Sequence, residues 1–162
     1  MPQKLRREVD FFNCASHNNN MSATNVQFSV ALHLMTGLGF FPEKEITSAV
    51  MAVSVNTNPS FVRKSLSKLV KNGLIVATRG KNGAYRLARP ADQITLLDIY
   101  RASEAPPAFA VHDYPPEEQC PVSCHIKPCT LAVLNQVQRS VEETLSKITL
   151  AKVISDLRVE AS

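Results

Sequence analysis

The sequence predicts a mainly α-helical fold with one small β-hairpin wing, and three observations carry that expectation. Apolar residues recur three and four apart in segment after segment, the spacing of a single buried helix face. One pair of short strand-like runs, 74–78 and 84–87, brackets an Asn-Gly dipeptide. A proline-rich stretch then separates these elements from a last helical segment with a narrow apolar stripe.

Val26, Val30, Leu34 and Leu38, with Ala31 on the same face, predict a first helix over about 24–38, punctuated by Gly37 and Gly39. Ile46, Ala49, Val50 and Val53 predict a short second helix over about 43–52. The segment Ser54-Val55-Asn56-Thr57 is too polar and β-branched for helix interior. Asn58-Pro59 supplies an N-cap and a first-turn proline, and Val62, Leu66 and Leu69 form the buried stripe of a third helix ending at Asn72-Gly73. Two helices joined by a tight turn, the second with cations opposite its apolar stripe, make a helix-turn-helix.

The run 74–78 reads as a strand and 84–87 as its partner. Between them, Asn82-Gly83 tolerates the positive φ that a tight hairpin needs, which makes this hairpin the wing. Thr95 and Asp98 have capping-box spacing and open a helix to about Ser103. Five prolines, Pro106, Pro107, Pro115, Pro116 and Pro121, mark the following stretch as loop. Leu134, Val137, Val141, Leu145 and Ile148 then alternate three and four apart, and Ile154 and Leu157 resume the pattern after a break near Thr149. A narrow stripe on a helix that follows a complete small domain suits pairing with its copy in a second chain; the other option is folding back on its own domain. The expected architecture is a winged helix-turn-helix plus a long C-terminal dimerisation helix. Its divisions are a disordered leader over 1–20, a DNA-binding domain over 21–103, a cysteine-containing sensor loop over 104–127 and a dimerisation helix over 128–158. Met21 is a candidate true start.

The net charge of +4 is unevenly placed. Between Val53 and Ala91 stand eight basic residues and no acidic one, whereas Glu104 to Ser162 holds eight acidic against five basic. A positive face on a helix-turn-helix points to a polyanion, and double-stranded DNA is the expected partner. A recognition helix offers its N-terminal side chains to base edges, which here are Thr57, Asn58, Ser60 and Arg63. Arg63 is the candidate for a bidentate guanine contact; the side chain of Asn58 is divided between capping and reading. Lys64, Lys68 and Lys71 suit phosphates, and Arg79, Lys81 and Asn82 of the wing suit the flanking backbone or minor groove. Six or so phosphate contacts per bound dimer would give a salt slope near −5, at about −0.9 per phosphate. Winged helices that serve only as protein-interaction modules are the competing class.

The stretches around Thr57-Asn58-Pro59, Leu66-Ser67-Lys68-Leu69 and Asn72-Gly73-Leu74-Ile75 resemble the recognition-helix signature of the Rrf2 family of transcriptional regulators. The segment from Arg79 to Pro90 is similar to that family's wing, and Ile94 to Tyr100 to the helix after it; the family's wing usually carries a further glycine where this chain has Ala84. The resemblance implies a bacterial homodimer with crossing C-terminal helices, bound to a palindromic operator and usually repressing. Half-sites would lie about one or two helical turns apart.

Cys120, Cys124 and Cys129 cluster within ten residues, beside His125 and near His112, while Cys14 lies apart. Three readings stay open. A thiol switch is one: if the long helix starts at Pro128, Cys129 falls in its first turn, where the helix dipole favours reactivity. An iron-sulfur cluster of [2Fe-2S] type is another, completed by an imidazole or carboxylate from either chain. The resemblance weighs against it, since cluster-holding members use wider cysteine spacing, and Cys120-Pro121-Val122 with Ile126 is similar to a subgroup with a single cysteine here. The third is a set of small residues at a helix junction, or an opportunistic zinc site.

No glycine-rich phosphate loop, catalytic triad or metal-hydrolase motif is present, so no enzyme is expected. A thiol-based redox enzyme using Cys120 or Cys129 is the rival class, and His125 would be its only nearby base. Without a run of about 18 apolar residues or a secretory signal pattern, a cytoplasmic protein with reduced thiols and no membrane partner is expected.

Overall fold

The computed structural model describes residues 26–78 and 83–161. The leader over 1–20, with Cys14, and the wing residues Arg79, Lys81 and Asn82 lie outside them. Helix α1 is Val26–Phe40, strand β1 is Ile46–Thr47, helix α2 is Ser48–Val55 and helix α3 is Pro59–Lys71. Strands β2, Ile75–Ala77, and β3, Ala84–Leu87, follow. A 3-10 turn at Ala91–Gln93 leads to helix α4, Leu96–Ser103, then helix α5, Pro121–Lys147, and helix α6, Leu150–Glu160.

The core is built from the apolar stripes that the spacing picks out. Leu34 and Met35 of α1, Val62, Leu66 and Leu69 of α3, and Ile99 of α4 are all fully buried in one cluster. Each such side chain contributes about 1.5–3 kcal/mol on leaving water. Asn58 caps α3 through its side-chain oxygen, which accepts the Ser60 N–H at 2.8 Å, with Pro59 in the first turn. Gly73, at φ +68°, turns the chain from α3 into β2. Thr95 and Asp98 form the expected capping box on α4. The hairpin is antiparallel, with Ile75 opposite Leu87 and Ala77 opposite Tyr85.

Four local expectations are corrected. The second helix does not span 43–52: Ile46 and Thr47 form a strand that pairs with Tyr85 and Ala84, giving a three-stranded sheet ordered β1-β3-β2. Ile46 buries its β-branched side chain there, and Thr47 caps α2 by accepting the Val50 N–H. Ser54 and Val55 complete α2, which ends at Asn56 in the left-handed region, φ 54°. Helix α1 runs through Gly37 and Gly39 to Phe40. A Cβ on Gly39 would collide with Ile154 of α6, so this glycine permits close approach of two helices.

The third and fourth corrections concern the C-terminal segment. Helix α5 starts at Pro121, one residue after its N-cap Cys120, and carries Pro128 in its interior. The expected dimerisation helix is also two helices. Its break falls at Ile148, the C-cap of α5, and Thr149, which caps α6 and forms a bridge with Thr95. The Leu96 N–H donates to the Ile148 carbonyl and the Leu150 N–H to the Ile94 carbonyl, both at 2.8 Å. Leu150 is fully buried and Ile154 nearly so, because the redirected α6 turns them into the domain's own core. Helix α5 has no fully buried residue: Leu134, Val137, Val141 and Leu145 are half-buried, while Val122, Ile126 and Val133 are exposed.

Candidate nucleic-acid interface

Helix α3 is strongly two-sided. Val62, Ser65, Leu66 and Leu69 face the core, and Ser60, Arg63, Lys64, Ser67 and Lys71 face outward. The outward set repeats three and four apart, so it forms one stripe along the helix. Ser67 belongs to it although the charge-based reading passed over it; the spacing from Ser60 through Arg63 and Lys64 was the available signal. The Arg63 guanidinium donates to the Ser60 hydroxyl at 3.1 Å, which holds it along the helix N-terminal turn.

Asn58 is exposed at the start of the same helix, but its Oδ1 is engaged in the cap, leaving its amide N–H groups for other partners. Thr57 sits half-buried in the turn, its N–H donating to the Ala52 carbonyl. Lys64 and Lys71 form no ion pair among the described residues. Lys68 differs. Its ammonium donates to the Ser103 carbonyl and pairs with the Glu104 carboxylate, both at 3.0 Å, and its side chain is only 19% exposed. The hydrogen bond and charge of Lys68 hold the Glu104 carboxyl below its usual range. The basic stretch therefore has an acid beside it, delivered from the end of α4, which the count over 53–91 could not include.

On the hairpin, Arg86 of β3 is exposed, whereas Arg89 is occupied by Asp98 at 2.7 Å. Arg79, Lys81 and Asn82 fall outside the described residues, so the tip of the wing is not part of this geometry.

The cysteines stand differently from expectation. Cys129 is in the third turn of α5, not the first, and is exposed. Cys120 is the half-buried N-cap, its Sγ accepting the Ser123 N–H at 3.5 Å. Cys124, exposed in the first turn, donates its S–H to the Glu117 carbonyl at 3.5 Å. Helical geometry puts Cys124 and Cys129 about 140° apart around the axis, at about 100° per residue. Among the described residues no three His, Cys, Asp or Glu side chains converge on a metal position. The thiols of one chain do not fit a cluster as arranged.

A helix-turn-helix with a cationic outward stripe, flanked by an antiparallel hairpin, defines a winged-helix DNA-binding transcriptional regulator. This chain belongs to the Rrf2 family, whose model, described as an iron-dependent transcriptional regulator, matches residues 24–156. It is 34% identical over 134 residues to YwnA of Bacillus subtilis, named as an HTH-type transcriptional regulator, covering 82% of this chain and 98% of YwnA. Its fold is similar to a transcriptional regulator of Lactobacillus plantarum, with TM-score 0.69, 27% identity, and 82% and 90% of the two chains covered. It is also similar to IscR of T. potens, with TM-score 0.61, 25% identity, and 86% and 89% covered. These relatives are regulators, and the chain is a regulator rather than the thiol-based redox enzyme weighed as the rival class. Among the described residues no helix is long and apolar enough to cross a membrane.

Proposed function

We propose that this protein is a cytoplasmic, homodimeric repressor that binds a palindromic operator and responds to a redox or small-molecule signal through the segment carrying Cys120, Cys124 and Cys129. The observation that carries the DNA-binding part is the outward stripe of α3, with Arg63, Lys64 and Lys71 exposed on a helix whose opposite face is locked into the core.

Arg63, at the N-terminal turn, is the base-reading candidate, with Ser60 beside it and Thr57 and Asn58 at the helix entry. Lys64 and Lys71 meet phosphate, joined by Arg79, Lys81 and Asn82 of the wing. Dimerisation uses apolar residues of α5 that stay exposed in the single chain, Val122, Ile126 and Val133. The signal acts on thiols: Cys124 and Cys129 are exposed, and Cys124 lies in the first turn of the helix that carries the dimer face. Their oxidation state would alter that helix start and with it the spacing of the two α3 helices. A bound iron-sulfur cluster finds less support, because the thiols do not converge.

Selection of duplexes from random sequence, followed by the quadruple replacement of Arg63, Lys64, Arg79 and Lys81 with alanine, tests the reading. Recovery of a palindrome and loss of its binding by the folded variant are expected. Undiminished affinity in that variant would remove the proposal.

A further inference from the structure

Lys68 sits in the middle of α3, yet its ammonium points away from the outward stripe. It reaches the Ser103 carbonyl and the Glu104 carboxylate, the last residue of α4 and its C-cap. Glu104 takes a left-handed conformation, φ 54°, and begins the 104–120 segment that leads to the cysteines. That segment is fastened twice more just beyond. The Tyr100 hydroxyl donates to the Pro106 carbonyl at 3.0 Å, and the Ala108 N–H donates to the side chain of Gln138 at 3.1 Å. Gln138, on α5, donates in turn to the Tyr100 hydroxyl and to Glu142, and Glu142 accepts from Arg101. The Ser103 hydroxyl donates to the Tyr100 carbonyl at 2.7 Å, so polar contacts connect α5 to α3 through Tyr100 and Ser103 at the end of α4.

We propose that Lys68 is a positioning residue and not a phosphate contact: it ties the DNA-reading helix to the start of the 104–120 segment, so that segment's conformation and the seating of α3 on DNA are linked. The inference rests on the reading of α3 as the DNA-reading helix. A left-handed, non-glycine residue at Glu104 is held by its surroundings, and the Lys68 bond is the contact that joins it to α3. By reciprocity, whatever shifts the segment shifts α3, and DNA binding shifts the segment.

The test uses the full chain and a duplex selected from random sequence. It compares Lys68→Met, Glu104→Gln and Lys68→Arg with Lys64→Met, reading the salt slope of affinity and amide hydrogen exchange at 104–110 with and without DNA. Glu104→Gln alters an exposed side chain by one atom, so it serves if Lys68→Met does not fold. Lys64→Met should flatten the slope by about 1.8 for two copies per dimer, at about 0.9 per phosphate. Lys68→Met and Glu104→Gln should leave the slope unchanged, weaken the duplex about tenfold and abolish the DNA-dependent change in exchange at 104–110. Lys68→Arg should restore both. The inference is overturned if Lys68→Met flattens the slope as Lys64→Met does. It is equally overturned if Glu104→Gln tightens binding by releasing Lys68 to phosphate, or if exchange at 104–110 responds to DNA alike in parent and Lys68→Met. Should Lys64→Met change neither slope nor affinity, the failure lies with the interface itself, and this inference falls with it.

Discussion

Asp98 takes two donors with one oxygen: the Arg89 guanidinium at 2.7 Å and the Thr95 N–H at 3.0 Å. The end of the wing and the start of α4 are thereby fixed to one carboxylate. Removing it breaks the reciprocal half of the capping box and leaves Arg89 without its partner. Asp98→Ala is expected to lower stability by about 1–2 kcal/mol, mostly through the cap, since a half-exposed ion pair contributes less than about 1 kcal/mol. Asp98→Asn should retain much of that. Urea unfolding of the two variants checks the order.

The assignment of α6 to the domain core makes a contrasting pair. Leu150 is fully buried, whereas Leu157, on the same helix, is 44% exposed. Leu150→Ala is expected to cost about 2–5 kcal/mol and Leu157→Ala much less. Equal losses, or a loss at Leu150 that depends on protein concentration, would return α6 to a dimer contact.

His33 predicts the direction of a pH effect. Its Nε2 lies 2.9 Å from the Ser54 hydroxyl, and although the residue keeps an exposed edge, partial desolvation of its ring pushes its pKa below the usual 6.5. The folded state therefore favours neutral imidazole. The stability that follows is present above the unfolded value, and it is lost as pH falls below about 6.5 toward the depressed folded value. Unfolding midpoints at pH 7.5 and 5.5 should differ more in the parent than in His33→Gln. An unchanged difference would sink the assignment.

Exposure orders the thiols. Cys124 and Cys129 are exposed and Cys120 is half-buried under its cap. Alkylation followed by peptide mapping should modify Cys124 and Cys129 before Cys120. Preferential labelling of Cys120 would contradict the arrangement at the start of α5.

Much of this was legible because it is written locally. Asn58-Pro59 with Val62, Leu66 and Leu69, or Thr95 with Asp98, announce caps and buried faces within a few residues. What escaped depends on partners far along the chain. Ile46 and Thr47 become strand only because Ala84 and Tyr85 lie alongside. Lys68 resembles its cationic neighbours until Ser103 and Glu104 arrive, some 35 residues later. The break near Thr149 shows in the apolar spacing, but not its consequence: pairing of Ile148 and Leu150 with Leu96 and Ile94 redirects the chain, so that Leu150 and Ile154 enter the domain's own core. Two prolines competed for the start of α5. Pro121, preceded by a residue able to cap, won over Pro128, which the helix carries without its N–H.

The most direct test of the central claim, that the outward face of α3 and the hairpin sit against a duplex backbone, is the salt dependence of affinity for the selected duplex. A slope of log affinity on log salt near −5 is expected, from about six neutralised phosphates. A slope near zero would contradict it.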